Sequence, residues 1–206
     1  MKFTVISDTH RKHHDVEMGS GDVLLHCGDF SGRGTLAEVT EFNTWLGNLD
    51  YTHKIIIAGN HDFLFERDPV LARSLITNAI YLEDESVEIE GVKIYGSPWQ
   101  PWFYDWAFNL KRGAALAEKW ALIPEDTDIL ITHGPPMGIG DITSEGEHAG
   151  CEDLLKRIHE LNIKYHCFGH IHEDYGRWEK DGKTFINASN CDLNYKIANS
   201  IHDFCF

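Results

Sequence analysis

Apolar residues along this chain come in short blocks that end abruptly in polar clusters. The block "KFTVIS" runs into Asp8, and "DVLLHCGDF" ends near Asp29. Next, "TLAEVTEFNTWLGNL" spaces Leu36, Val39, Phe42, Leu46 and Leu49 three or four residues apart, which predicts a helix with Thr35 as its N-cap. "HKIIIAGNHD" reads as a third strand, broken at Gly59. Strand, helix, strand in that order predicts a parallel sheet covered on both faces.

The second half has a different rhythm. "VEIEGVKIYG" alternates with period two around Gly91 and predicts a hairpin. Residues 113–121 are predicted helical, "DILITHGPP" is another buried strand, and "CEDLLKRIHELNI" is an amphipathic helix. "YHCFGHIH" reads as a strand, and "GRWEKDGKTFINAS" as a hairpin turning at Asp181-Gly182. No repeat, low-complexity tract or linker interrupts the pattern, so a single domain over residues 1–206 is expected. The fold class that follows is α/β with mixed pairing: two packed mixed β-sheets flanked by helices.

Composition narrows the function more than the fold. The 206 residues carry a formal net charge of −15 and no long Lys/Arg run. Such a surface repels a polyphosphate backbone, so extended nucleic-acid binding is not expected. A small anionic substrate stays open, because bound divalent cations reverse the field locally. The chain has no run of roughly 18 apolar residues, and its first apolar run is short for a signal peptide, so no membrane span is expected. Five cysteines, odd in number and without C-x-x-C spacing, point to reduced thiols filling core space and to a cytoplasmic location.

The chemistry gathers where the apolar blocks stop. In "CFGHIHEDYG", a continuing strand would send His170 and His172 to one face, roughly 6.6–6.8 Å apart. Alone, such a pair binds metal only where other ligands converge. Four further block ends offer them: Asp8 and His10 in "ISDTH", Asp29 in "CGDF", Asn60, His61 and Asp62 in "AGNHD", and His133 in "ITHGPP". In open sheets, sites form beyond the strand ends, where these groups can meet. Gly28, Gly59 and Gly169, each just before such a residue, permit tight turns and close backbone approach.

D-x-H, G-D, G-N-H-D, a later H and G-H-x-H, in that order, resemble the calcineurin-like metallophosphoesterase superfamily. "GDFSGRG", "EFNTWLGNL", "YGSPWQPWF" and "KWALIPEDTDILITHGPP" are similar to one branch of it, the small metallophosphoesterase-domain-containing proteins. The resemblance implies an αββα sandwich and two divalent metal ions, with Mn, Fe, Zn, Mg and Co all compatible with the donor set. It puts Asp8, His10 and His172 on one ion, Asn60, His133 and His170 on the other, and Asp29 between them. His61 would assist the leaving group, with Asp62 orienting its imidazole. Some members of the branch carry Gly in place of His170; this chain has the complete set.

Two ions about 3.5–4 Å apart suit phosphoester hydrolysis, because they activate water and neutralise phosphoryl charge. The branch resemblance implies small phosphodiesters, cyclic nucleotides among them, as substrates. A phosphomonoesterase or protein phosphatase on the same metals, and a nucleotide-binding regulatory protein with vestigial hydrolysis, are the alternatives. Arg33 in "SGRG" is a candidate phosphate contact. Trp99 and Trp102, in the aromatic stretch "GSPWQPWFYDWAF", are candidates for stacking a base. His13 and His14, close after His10, are further candidates for the pocket; the remaining histidines read as surface or packing residues. The tail "CDLNYKIANSIHDFCF" carries no readable role.

Overall fold

The computed structural model describes residues 1–206. In chain order it begins with β1 (Lys2–Ile6), β2 (Gly21–His26), helix α1 (Leu36–Gly47) and β3 (Tyr51–Ile56). Helices α2 (Phe63–Arg67) and α3 (Pro69–Leu75) lead to β4 (Ile80–Tyr81) and the hairpin β5 (Glu85–Ile89) and β6 (Val92–Ser97). A minor pair, β7 (Gln100–Pro101) and β8 (Asn109–Leu110), brackets the aromatic stretch. Then come α4 (Ala114–Trp120), β9 (Ile129–Thr132), α5 (Glu152–Glu160) and β10 (Tyr165–Phe168). The hairpin β11 (Gly176–Lys180) and β12 (Lys183–Asn187) precedes β13 (His202–Cys205).

Both large sheets have a parallel centre, with one antiparallel edge in the first and two in the second. β1, β2, β3 and β4 pair in parallel, with β13 antiparallel along β1. β6, β9, β10 and β12 form the parallel centre of the second sheet, edged by β5 and β11. Alternation along each strand explains the layering. Val23 and Leu25 of β2 face Ile129 and Ile131 of β9 between the sheets, whereas Leu24 points to α1 and Leu130 to α4 and α5. This is the helix–sheet–sheet–helix sandwich that the pattern and the resemblance predicted.

Local chemistry accounts for the helices. Thr35 and Glu38 form a capping box: the Thr35 hydroxyl accepts from Glu38 N (3.3 Å), and Glu38 Oε2 accepts from Thr35 N (2.9 Å). Val39, Phe42, Trp45 and Leu46 are buried against the first sheet, while Leu36, at the first helical position, is exposed. α2 and α3 lie where periodicity predicted nothing, since neither is long enough to display a period. Pro69 at the first position and the Asp68 carboxylate accepting from Leu71 N (3.1 Å) set the start of α3. Cys27, Cys151, Cys167 and Cys191 are buried free thiols; Cys205 departs from the expected core role, exposed on edge strand β13. No helix is long and apolar enough to cross a membrane.

One local expectation is overturned. "YHCFGHIH" is strand only to Phe168, and His172–Asp174 forms a turn of 3-10 helix. His170 adopts a left-handed φ of 71°, and Ile171 N donates back to Gly169 O (2.9 Å), so the chain leaves the sheet there. His170 and His172 therefore diverge across a tight turn instead of standing on one strand face.

Candidate active site

The ends of β1, β2, β3, β9 and β10 meet at one edge of the sandwich, and the turns beyond them carry every candidate ligand. The backbone there is strained for a purpose. Asp8, His10, Asp29 and His170 all have positive φ (52°, 41°, 56° and 71°), a region costing non-glycine residues about 1–3 kcal/mol each. Two glycines make room instead. A Cβ on Gly169 would collide with the Asp8 carboxylate, and one on Gly59 with the Asp29 carboxylate.

The Asp8 and Asp29 carboxylates anchor two overlapping groups. Asp8 Oδ2 accepts from His170 N and Ser189 Oγ (2.9 Å each), leaving Oδ1 3.3 Å from His172 Nε2 and 3.9 Å from His10 Nε2. Asp29 Oδ1 accepts from His61 N (2.7 Å). Its Oδ2 lies 3.4 Å from His133 Nε2, 3.8 Å from His10 Nε2 and 4.0 Å from His61 Nε2. His133 Nε2 also faces Asn60 Oδ1 at 2.9 Å, and the His133 and His170 rings are 5.0 Å apart. Asp8, His10 and His172 thus surround one point, and Asp8, Asp29 and His133 another, with Asn60 and His170 beside the second. All seven expected ligands are brought together. The two histidines of "CFGHIHEDYG" fall on opposite sides, His172 by Asp8 and His170 by His133.

The tautomers are set from behind. His133 Nδ1 donates to Cys27 O (2.9 Å), His172 Nδ1 to Asp192 O (3.0 Å) and His61 Nδ1 to Gly32 O (2.9 Å). A carbonyl only accepts, so each Nδ1 carries hydrogen and each Nε2 aims inward, as a metal ligand must on His133 and His172 and as a proton donor must on His61. On His133 that Nε2 meets only oxygen acceptors, Asn60 Oδ1 and Asp29 Oδ2, an arrangement satisfied by a proton on Nε2 or by a metal ion in its place. Electrostatics agree. Burial lowers His133 and His172, yet Asp29 against the first and Asp8 against the second raise both to about 9. Burial raises Asp8 and Asp29 in turn, but the histidines around them hold both well below the usual carboxylate range. A field that favours positive charge and donors of N/O type fit divalent metal ions.

Asp62 does something other than expected. Its Oδ2 accepts from Asp29 N and Gly59 N (2.8 Å each), and its Oδ1 from Ser31 N (3.0 Å) and Ser31 Oγ (2.6 Å). With its oxygens engaged inside the turn, Asp62 orients backbone; the Gly32 carbonyl is what orients the His61 imidazole. Burial and the Asp29 charge push the Asp62 carboxyl up to about 7. The His61 ring stacks on Trp106 (4.2 Å between centroids), a contact no sequence signal singled out.

These groups floor a cavity of about 330 Å³, rimmed by Trp102, Phe103, Trp106, Leu193 and Tyr195. Two expected substrate contacts stand elsewhere. Trp99 does not line the cavity, because its Nε1 donates to Asp84 (2.9 Å) and its ring packs under Lys119 Nζ (4.2 Å) and against Phe108. Arg33 lies outside the lining as well, its guanidinium 4.9 Å over the Trp106 ring. His13 and His14 are also absent from the cavity; both turn to Glu41 on α1. Arg112 is the one guanidinium in the wall, and it donates to Gly150 O (2.6 Å) and Ala149 O (2.9 Å).

Residues 1–174 match the family model described as calcineurin-like phosphoesterase, and the chain belongs to that family. Membership brings metal-dependent phosphoester hydrolysis as its chemistry. Human metallophosphoesterase domain-containing protein 1 is 45% identical over 223 residues, covering 96% of this chain and 68% of that one. A UPF0046 protein of Caenorhabditis elegans is 41% identical, over 97% of this chain and 58% of its own length. Among solved structures, TT1561 of Thermus thermophilus is similar in fold alone, with a TM-score of 0.61 at 12% identity over 90% of this chain and 88% of that one.

Proposed function

We propose that the protein is a dinuclear-metal phosphodiesterase acting on small phosphodiesters, cyclic nucleotides among them. Asp8, His10 and His172 would hold one ion and Asn60, His133 and His170 the other, with Asp29 within reach of both groups. Such ions lower the pKa of water toward neutrality and neutralise charge on the phosphoryl oxygens. The chain's own residues supply orientation and the proton. The Gly32 carbonyl and the Trp106 ring hold His61 with Nε2 over the centre, 4.0 Å from Asp29 Oδ2. From there a protonated Nε2 donates to the departing ester oxygen.

The observation that carries the choice of diester is the charge of the wall. A monoester dianion calls for an extra cation, whereas the sole guanidinium of the lining is already bonded to two carbonyls. A diester monoanion asks for no more than the floor provides, and the aromatic rim suits its second substituent. The test is initial rates for Mn-loaded protein on bis-p-nitrophenyl phosphate, p-nitrophenyl phosphate, and 2′,3′- and 3′,5′-cyclic AMP. Diester turnover well above monoester, with a cyclic nucleotide accepted, is expected. Monoester preference would make the protein a phosphatase, and silence on all four with metal bound would make it a binding protein.

A further inference from the structure

The tail that carried no sequence signal returns to the site. Cys191 and Ile197 form an antiparallel bridge, and the loop between them is a tight turn. Asp192 Oδ1 accepts from Asn194 N (2.8 Å) and Lys196 N (3.0 Å), while Asp192 O accepts from Tyr195 N (3.0 Å). That same carbonyl takes the Nδ1–H of His172 (3.0 Å), so one peptide unit orients both a candidate ligand and Tyr195. Tyr195 is held at φ 56°, a conformation that a bulky residue adopts only under constraint.

The constraint has a visible result. The Tyr195 ring stands edge-on to His10 (4.7 Å between centroids) and lies 5.8 Å from His172 and 6.0 Å from His61. It lines the cavity while leaving 47% of its surface uncovered, and its hydroxyl has no hydrogen-bond partner in the protein. A tyrosine buried for structure alone would cover its ring or satisfy its hydroxyl. Across the cavity, Trp102 and Phe103 are 61% and 51% exposed, so the floor of histidines and carboxylates opens between two apolar walls.

We propose that Tyr195 is a specificity-determining residue, whose ring packs against an aryl or base-bearing substituent of the phosphoester held below it. This rests on the hydrolytic reading of the site, and the contact is made by the ring, not the hydroxyl. The turn at Asp192 sets the distance between that wall and the floor, which makes the tail part of the substrate pocket.

The experiment compares wild type with Tyr195→Phe and Tyr195→Ala, each loaded with Mn. Hydrolysis is measured on bis-p-nitrophenyl phosphate and methyl p-nitrophenyl phosphate. Binding of phenylphosphonate and methylphosphonate, which differ by one ring, is measured by calorimetry. Tyr195→Ala should raise KM for the diaryl ester about tenfold, the scale of one stacked ring, with kcat changed less. It should also erase the preference for phenyl- over methylphosphonate while metal content stays at the wild-type level. Tyr195→Phe should keep both preferences within about twofold. An unchanged phenyl preference in Tyr195→Ala overturns the proposal, and so does a Tyr195→Phe variant as impaired as the alanine. If wild type hydrolyses neither ester, the hydrolytic reading fails, and the phosphonate pair still decides what Tyr195 does.

Discussion

Replacing Gly59 with alanine should remove the metal centre while leaving the fold standing. Gly59 immediately precedes Asn60, and a Cβ built on it would meet Asp29 N at 2.5 Å and His133 Cε1 at 2.6 Å, besides the Asp29 carboxylate itself. Ordinary contact begins at 3.4 Å, so the His133 ring would have to retreat by about 0.8 Å. Neither neighbour is free to do so. Asp29 is tied through its amide to Asp62 (2.8 Å) and through Oδ1 to His61 N (2.7 Å), and His133 is tied to Cys27 O (2.9 Å). Backbone conformation is not at issue, because Gly59 is outside the left-handed region. Overpacking of this kind costs about 1–3 kcal/mol, less than a typical domain's stability of about 5–15 kcal/mol. Catalysis is less forgiving: a shift near 1 Å at a reacting centre costs about 10²-fold. Gly134→Ala is the matched control beside His133, since its Cβ would meet only Gln100 Cβ, at 3.5 Å. Metal content after dialysis, diester turnover and urea midpoint are measured for both variants. A Gly59→Ala protein that keeps both metals and wild-type turnover would refute the reasoning.

Three further outcomes follow from the same geometry. His61→Ala should retain metal, because the ring is held by Gly32 and Trp106 and not counted among the ligands, yet lose about 10²–10⁴-fold in turnover; equal loss of metal would mean His61 is a ligand. Asp62→Ala strips the acceptor from the amides of Asp29, Ser31 and Gly59. Set against the relief of removing a buried carboxylate, this should cost about 2–4 kcal/mol in chelator-treated protein, and a loss under about 1 kcal/mol would contradict it. Burial lowers both His26 and His166 from 6.5 to about 3, so the unfolded chain binds their protons first as pH falls. The stability they provide is complete above pH 6.5 and is lost progressively toward pH 3, at about 1.4 kcal/mol per pH unit for each. His166→Gln, which keeps a partner for Thr132, should therefore shrink the stability difference between pH 6.5 and 5 by about 2 kcal/mol; an unchanged difference would place the acid sensitivity elsewhere.

The sequence by itself determined the layers and the gathering of ligands. Strand cores such as "VLL" of β2 and "ILI" of β9 alternate strictly between two apolar environments, and that demand is met only between a second sheet and a helix layer. Because each apolar block stops at its polar residue, and parallel strands end on the same side, Asp8, Asp29 and Asn60 had to meet; His133, at the end of β9 in the second sheet, joins them through the packing of the two sheets. Local rules were enough for the Thr35 cap and for the glycines that precede the ligands.

Tertiary structure decided whatever depends on which atom faces which. Adjacency of His61 and Asp62 in the chain says nothing about the Asp62 oxygens turning back onto Asp29, Ser31 and Gly59, or about Gly32 O reaching His61. The aromatic stretch is uniform as a string, yet Trp99 is drawn inward by Asp84 and Lys119 while Trp102 is left on the rim. Turn geometry parted His170 from His172, where strand spacing alone predicted a shared face. Tyr195 has no motif around it; long-range bonds, His172 to Asp192, Ser189 to Asp8 and Asn190 to Ser7, bring its turn over the site. Periodicity records which side of an element meets the core, and it carries no information about contacts made by single residues across distant turns.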